Sequence, residues 1–332
     1  MGSNPTPRTN LCGLYGDVMN SVLVAGIGFI GLNLVEELID RGVEVTVIAR
    51  RSSSVKRPSM TKRLSALGVN LVLVDEILED HLASLAGDVY YYLAGKLWGD
   101  YNVQWEAHVG LLNRTINAVS SIGARLVHVS SIAAIGVIKG AERGYIVREE
   151  ESHLEGERVY VNTHMKTKAE GEKLVVKRGV NLKGKWSIIR PGIVFGPWGC
   201  HPEWVFLYRA VSLRITPKLG RGMPHIYSRD LASILADAGD GGYDSKWIIA
   251  VDPLHPDMAD IAREICKKRG YSKCFGIPIW GFMRIAGSLA PRNSPIKLAY
   301  TLLNTGYRYE SRYLSRMEWT PLEDQVTPRL TC

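Results

Sequence analysis

Gly26, Gly28 and Gly31 stand in the spacing GxGxxG, directly after the apolar run Val22-Leu23-Val24 and directly before a helical pattern. Small residues at that spacing suit a bound anion. Gly26 allows a tight turn, Gly28 lets a pyrophosphate approach the backbone, and Gly31 lets the helix pack close to the strand. The N–H groups that open the helix then point at the phosphates. The glycines alone say little, but inside a complete βαβ unit they specify a dinucleotide. For NAD, the end of the second strand should carry Asp or Glu to accept from the ribose 2′-hydroxyl. Here Arg50 and Arg51 stand instead, followed by Ser52 to Ser54, Lys56 and Arg57. Guanidinium groups match a 2′-phosphate, so NADP is the expected cofactor and NAD the alternative.

The surrounding pattern supplies that unit. Leu34, Val35, Leu38 and Ile39 share one helical face, Gly42 caps its end, and a second strand follows over 43–48. Further strands are predicted over 69–74, 89–93, 126–129 and 186–189, with helices near 61–67, 103–121 and 158–178. Beyond Pro191 the pattern loosens, leaving a late strand at 247–251 and a helix at 258–267. Strands alternating with helices predict an α/β fold, a doubly wound parallel Rossmann sheet with a smaller C-terminal substrate lobe. The expected division is a flexible tail over 1–18, an NAD(P)-binding domain over 19–195, and a lobe over 196–332 interleaved with the sheet edge. Met19, just before the first strand, is a second candidate start.

Composition narrows the function classes. The 332 residues are 46% hydrophobic and 22% charged, as in ordinary soluble globular proteins. The net charge of +8 comes from scattered Lys and Arg with no nucleic-acid-reading motif, so a small anionic substrate is expected and nucleic acid is not. Five cysteines, odd in number and without a CxxC pair, argue against a disulfide framework and for a reducing, cytoplasmic location. His128, His153 and His201 lack metal-ligand spacing, so no metal is expected, and Glu149-Glu150-Glu151 reads as a solvated loop. The apolar stretch 276–291 is interrupted by Arg284 and too short to span a bilayer. It reads as a buried helix of the lobe, with a membrane-touching lid as the alternative, and no stable membrane insertion is expected.

Phe29-Ile30-Gly31 after the glycines resembles the extended short-chain dehydrogenase/reductase family of NAD(P)-dependent sugar epimerases, dehydratases and carbonyl reductases. The resemblance runs from Met19 to about Pro321. It implies that Phe29 and Ile30 line the cofactor, that Asp75 contacts adenine, and that Leu93-Ala94-Gly95 lies beside the cofactor. Val129-Ser130-Ser131 followed by Gly136 resembles the active-site serine strand, and the spacing to Gly136 selects Ser131. Arg190-Pro191-Gly192-Ile193-Val194-Phe195-Gly196-Pro197 resembles the segment lining the nicotinamide pocket, which brings Pro191 and Ile193 to the cofactor. The segment from His225 to Ala232, with Asp230, resembles another family segment.

The departures matter as much. Family members carry Tyr-x-x-x-Lys, and the lysine corresponds to Lys168, but the tyrosine position holds His164. Tyr160, His164 and Lys168, four residues apart, are expected to form one helical stripe. Ala25 replaces the family's first glycine, and His108 stands where an asparagine is usual. Met223 stands near the position of the diphosphate-gripping arginine, with Arg221 and Arg229 close by. The resemblance implies a base that takes a hydroxyl proton, a lysine that holds the ribose, and a serine that orients the substrate oxygen. With an unperturbed pKa near 6.5, histidine can be that base. A neighbouring Lys⁺ lowers the value further, giving a competent base and a weak acid. Two functions follow. One is an NAD(P)-dependent oxidoreductase or epimerase/dehydratase acting at a carbinol or carbonyl carbon through Ser131, His164 and Lys168. The other is a silent NAD(P)-binding protein, a redox sensor or structural subunit. The aromatic-rich lobe suits a hydrophobic or ring-shaped small molecule, and the two long helices suit a homodimer.

Overall fold

Seven short apolar segments pair into one all-parallel sheet. They are β1 (Asn20–Val24), β2 (Glu44–Arg50), β3 (Asn70–Val74), β4 (Val89–Tyr92), β5 (Arg125–Val129), β6 (Trp186–Pro191) and β7 (Lys246–Ala250). Their order is β3-β2-β1-β4-β5-β6-β7, which reverses direction between β1 and β4. That reversal opens a crevice at the carboxyl ends of β1 and β4, where ligands bind in doubly wound sheets. The computed structural model describes residues 19–97, 99–149 and 157–331; the expected tail over 1–18, Glu150, Glu151 and His153 lie outside them.

Parallel strands covered on both faces must be apolar throughout. β4 obeys this with three consecutive tyrosines, Tyr90, Tyr91 and Tyr92, all buried. Their hydroxyls need partners: Tyr90 donates to the Leu82 carbonyl at 2.7 Å and Tyr92 to the Ala107 carbonyl at 2.6 Å. One face is covered by α1 (Phe29–Asp40), α3 (Pro58–Ala66) and α9 (Ser228–Gly239), whose Leu34, Leu38, Leu64 and Leu235 are buried. Between β2 and α3 lies the short α2 (Arg51–Lys56). The other face carries α4 (Glu79–Ser84), α6 (Leu111–Ile122) and α7 (Thr163–Arg178), through Leu82, Leu112, Ile116 and Val175.

Two expected helices differ. The one predicted over 103–121 is broken into α5 (Tyr101–Trp105), a π-turn at Glu106–Gly110, and α6. The one predicted over 158–178 begins only at Thr163, because Asn162 caps it by accepting from the Met165 N–H at 2.9 Å. Arg158–Val159 is instead extended and pairs antiparallel with Val137–Ile138. Tyr160 therefore precedes the helix, and the three-residue stripe is wrong; His164, Lys168 and Glu172 share that face instead.

The C-terminal lobe contains α8 (Pro202–Ser212), α10 (Met258–Lys268), and the hairpin α11 (Trp280–Leu289) and α12 (Pro295–Thr305), closing on the short α13 (Leu322–Gln325). Yet α9 and β7 belong to the central layers, so the chain re-enters the first body after 195. Three further expectations fail here. Cys266 and Cys274 form a disulfide, their Cα atoms 6.5 Å apart, and Cys200 is disulfide-bonded too. The eight-residue spacing carries no motif; the fold brings the thiols together. Glu149 is not solvated but buried, accepting from the Ile249 and Arg312 N–H groups, each at 3.3 Å. The segment over 276–291 is not a buried helix: within α11 only Gly287 is buried. No helix among the described residues is long and apolar enough to cross a membrane.

Candidate active site

The glycine loop comes first. Gly28 precedes α1 in extended conformation with no side-chain cap, so the first helical N–H groups have no local acceptor. A Cβ on Gly28 would meet nothing within 4 Å, whereas one on Gly31 would lie 2.0 Å from the Gly26 carbonyl oxygen. Gly28 thus faces an open cradle and Gly31 a packed contact, the division a pyrophosphate site needs. The tight turn belongs elsewhere than expected. Ala25, with φ of 60°, takes the left-handed conformation, while Gly26 is required because a Cβ would sit 2.8 Å from that of Leu23. Holding alanine there costs about 1–2 kcal/mol, and glycine gives back under about 1 kcal/mol through the freer unfolded chain. Ala25→Gly should therefore raise stability by roughly 0.5–1 kcal/mol. Chemical denaturation reads this directly, and an unchanged or lower midpoint refutes it.

Phe29 is buried and packs at Gly199, its ring 6.0 Å from that of His201; Ile30 is half-buried. At the adenosine end, Arg50 closes β2 and Arg51 opens α2, both exposed. Arg51 reaches Asp75, at the end of β3, across 3.5 Å; these side chains are 64% and 93% exposed, so the pair adds little to stability. Lys96 faces the same rim. Its pKa is lowered by burial first, and then by the charges of Arg50, Lys56 and Arg57. Four cations therefore converge on one edge of the crevice.

Across β4, Leu93 continues the strand ladder by donating to the Val24 carbonyl at 3.1 Å; Ala94 is buried and Gly95 exposed. A Cβ on Gly95 would lie 3.9 Å from Lys168 Nζ. That ammonium donates to the Val129 carbonyl at 2.9 Å, at the end of β5. Burial pulls the Lys168 pKa down to about 8, opposed by the charge of Glu172.

The two serines of this strand end have separate environments. Ser130 is buried and its hydroxyl donates to Glu172, which also holds Arg190 by a bidentate pair with no exposed side-chain surface. Ser131 is half-buried and caps the turn Ile132–Ile135, accepting from the Ala133 N–H at 3.1 Å. Its own proton is thereby left to donate outward. Pro191 is buried and Ile193 half-buried beyond Gly192, where a Cβ would lie 2.3 Å from the Pro224 carbonyl oxygen.

His164 lies on α7 one turn before Lys168. Its Nδ1 lies 2.9 Å from the Lys96 carbonyl, so Nδ1 carries the hydrogen and Nε2 is the basic atom of the neutral ring. Nε2 has no partner among the described residues and is not sealed from solvent. Burial pulls the His164 pKa down to about 4, with the Lys168 charge adding to the effect and the Lys96 hydrogen bond opposing it.

His108 completes the arrangement. Its Nε2 accepts from the Lys96 N–H at 3.1 Å, so its Nδ1 donates to Thr167 Oγ1 at 2.7 Å. The Lys96 backbone is thus held at its N–H by one imidazole and at its carbonyl by the other, and the two rings lie edge to face 5.2 Å apart. Burial, and then the charge of Lys168, lower the His108 pKa. The π-turn sets this position: Tyr92 holds the Ala107 carbonyl, and Gly171 of α7 packs so closely that a Cβ would stand 2.6 Å from the His108 carbonyl oxygen. His128, beneath, is fully buried 5.6 Å from Tyr92, and burial holds its pKa well down. Tyr160 packs its ring on Gly136, where a Cβ would stand 3.0 Å away, and burial raises its pKa. It is no candidate base. Arg229 is exposed on α9, Met223 is buried, and Arg221 lies 3.4 Å from the Trp280 ring centre. Among the described residues no three His, Cys, Asp or Glu side chains group to hold a metal.

Sequence reasoning missed Glu172 and the second grip on Lys96. Glu172 at i+4 from Lys168 was a readable signal; a histidine-to-backbone contact across the fold was not.

The chain belongs to the NAD dependent epimerase/dehydratase family, whose model matches residues 22–237. A protein of Synechocystis sp. named "Putative dihydroflavonol 4-reductase" is 27% identical over 218 residues, covering 64% of this chain and 60% of that protein. The chain thus matches under two thirds of that relative's length. Two solved structures share the fold. UDP-glucuronic acid 4-epimerase from Bacillus cereus, in complex with NAD, is 18% identical with a TM-score of 0.66, covering 92% of this chain and 96% of that one. The terminal R domain of the myxalamid PKS-NRPS pathway is 18% identical with a TM-score of 0.67, covering 92% and 87%.

Proposed function

We propose that this protein is an NADP(H)-dependent oxidoreductase acting on a small carbinol or carbonyl compound, with His164 as proton acceptor. The observation that carries the reading is the Nδ1–H bond from His164 to the Lys96 carbonyl, which leaves Nε2 basic and uncommitted. The open cradle at Gly28 and the uncapped start of α1 fit a dinucleotide pyrophosphate. Gly26, Gly31, Phe29 and Ile30 shape that cradle, while Leu93, Ala94, Gly95, Pro191 and Ile193 line the path to the nicotinamide end. A bound nicotinamide supplies the hydride acceptor or donor. Ser131 directs its hydroxyl proton at the substrate oxygen, and Lys168, beside Gly95, holds the ribose end. In the oxidising direction the substrate hydroxyl gives its proton to His164 Nε2. With a pKa near 4, His164 is neutral at physiological pH and ready to accept. Reduction draws on the imidazolium, so its rate should fall as pH rises above about 4.

The choice of NADP over NAD rests on Arg50, Lys56, Arg57 and Lys96 sharing one rim. Arg51 is engaged by Asp75, which leaves Arg50 the freer guanidinium for a 2′-phosphate. Titration should find NADPH bound more tightly than NADH. Arg50→Gln should weaken NADPH by roughly tenfold or more, the worth of a charge-assisted hydrogen bond, and leave NADH nearly unchanged. Tighter NADH binding by the wild type refutes this choice.

A silent cofactor-binding protein is the second reading, favoured by the packing of Tyr160 against Gly136, away from the stripe of Lys168. Steady turnover of any alcohol, ketone or nucleotide sugar eliminates it; cofactor binding without turnover across the panel eliminates the enzyme. A cytoplasmic location belongs to the enzyme reading through its need for an NADP(H) pool, whereas the Cys266–Cys274 bond argues for an oxidising compartment. A homodimer through α6 and α7 is part of the same reading.

A further inference from the structure

The tip of the hairpin α11–α12 reaches across to the helix that carries His164. Asn293, in the turn between the two helices, accepts at Oδ1 from both the N–H and the hydroxyl of Thr163, at 3.1 and 3.0 Å. Beside it, Arg292 Nε donates to the Val161 carbonyl at 3.0 Å. Thr163 is the first residue of α7 and His164 the second. An N–H at that place has no acceptor within its own helix. Asn162 serves the Met165 N–H locally, and Asn293 serves the Thr163 N–H from the lobe.

From Thr163 the contacts run into the site. Its carbonyl accepts from the Thr167 hydroxyl at 2.9 Å, and Thr167 Oγ1 accepts from His108 Nδ1 at 2.7 Å. His108 Nε2 accepts from the Lys96 N–H, and the Lys96 carbonyl accepts from His164 Nδ1. Every hydrogen in this chain therefore points from His164 toward Asn293, whose carbonyl oxygen ends it with no proton of its own. Bonds aligned in this way polarise and strengthen one another. The hairpin is firm enough to hold its end. Lys297 Nζ of α12 donates to the Gly287 carbonyl of α11 at 3.1 Å, and Trp280 stacks with Tyr300, ring centres 6.0 Å apart. Leu298 is buried with Met165 and Ala133, which follow His164 and Ser131 closely in the chain.

We propose that Asn293 is a positioning residue for His164. By ending the chain of hydrogen bonds it fixes the first turn of α7 and, through Thr167 and His108, the Lys96 backbone that holds the imidazole in its Nδ1–H form. The effect on turnover rests on His164 being the proton acceptor; the state of the ring does not.

Imidazole nitrogen NMR spectra of histidine-labelled protein test this, with His164→Asn identifying the His164 signals. Near neutral pH the wild type should show His164 as one tautomer, its proton on Nδ1. Asn293→Ala should show both tautomers in exchange, and kcat should fall about three- to tenfold, the worth of one neutral hydrogen bond, at unchanged cofactor KM. Asn293→Asp keeps an oxygen acceptor at the same reach and should restore both the single tautomer and the rate. Asn293 is exposed at the tip, so each variant should melt close to the wild type. An unchanged His164 spectrum in Asn293→Ala overturns the proposal, as does Asn293→Asp behaving like the alanine variant. So does a lower melting temperature with spectrum and kcat unchanged, which would make the contact a plain tie between lobe and helix. If no compound is turned over, the enzyme reading falls, and the imidazole spectrum still decides for or against Asn293.

Discussion

His164→Ala is expected to lower kcat/KM in the oxidising direction by about 10²–10⁴, the usual worth of a positioned general base, while cofactor affinity changes little. The loss follows from removal of Nε2, the atom left basic when Nδ1 donates to the Lys96 carbonyl. Alanine also removes that hydrogen bond, so a purely structural effect on the loop after β4 must be separated from the chemical one. His164→Asn does this: its side-chain amide can still donate to the Lys96 carbonyl, yet it has no basic nitrogen. Both variants should be similarly slow, and added imidazole should restore part of the rate in the alanine variant only, where there is room for it. The pH profile gives a further handle. A base must be deprotonated to act, so kcat/KM should rise with pH through about 4 and reach its plateau below neutrality. Lys168 must stay charged to hold an anionic cofactor, so the profile should fall as pH rises through about 8. A rate unchanged in His164→Ala eliminates His164 as the base. An ascending limb near pH 10 would point to a phenol instead.

The fold was legible because parallel, doubly covered strands leave unmistakable apolar runs, and because GxGxxG between a strand and a helix has few other uses. Boundaries were less so. Nothing periodic distinguishes residues 158–162 from the helix after them; the stop is Asn162, a cap whose effect depends on the backbone already turning. The π-turn around His108 was invisible for a related reason, since it is held by the Tyr92 hydroxyl and by the approach of Gly171, both distant in sequence. At the site, the resemblance to the family's Tyr-x-x-x-Lys segment brought out Lys168 and His164 together. It did not expose that the two histidines hold the backbone of one residue, Lys96, because that contact joins a loop, a π-turn and a helix. The role of Ala25 was hidden in plain view: a family glycine position filled by alanine keeps the glycine backbone, with φ of 60°. The disulfide was missed because cysteine spacing informs only where a motif fixes the local geometry. The exposed α11 face was missed because apolar composition does not say which side is covered.

Glu172→Gln should destabilise the folded protein by about 3–5 kcal/mol, the cost of leaving a buried partner charge uncompensated. Arg190 Nε donates to Glu172 Oε1 at 2.9 Å, and the second guanidinium nitrogen meets Oε2, with no side-chain surface of either residue exposed. The amide keeps the shape of the carboxylate and removes the charge, so cavity formation contributes little and the loss reports electrostatics. Against a total stability of roughly 5–15 kcal/mol, this is a severe lesion far smaller in volume than any core truncation. The pair also underlies the site. Ser130 donates to the same carboxylate, Val129 before it receives the Lys168 ammonium, and Ser131 after it caps the following turn. The remaining folded fraction of Glu172→Gln should therefore show a displaced strand end as reduced kcat as well as reduced stability. Replacing both partners, Glu172→Met with Arg190→Met, removes the stranded charge and should recover most of the lost stability but not the activity, because no acceptor remains for Ser130. Denaturant midpoints for the wild type, Glu172→Gln and the double variant decide the matter. A single Glu172→Gln variant within about 1 kcal/mol of the wild type would mean that the pair is not what holds the carboxyl end of β5 in place.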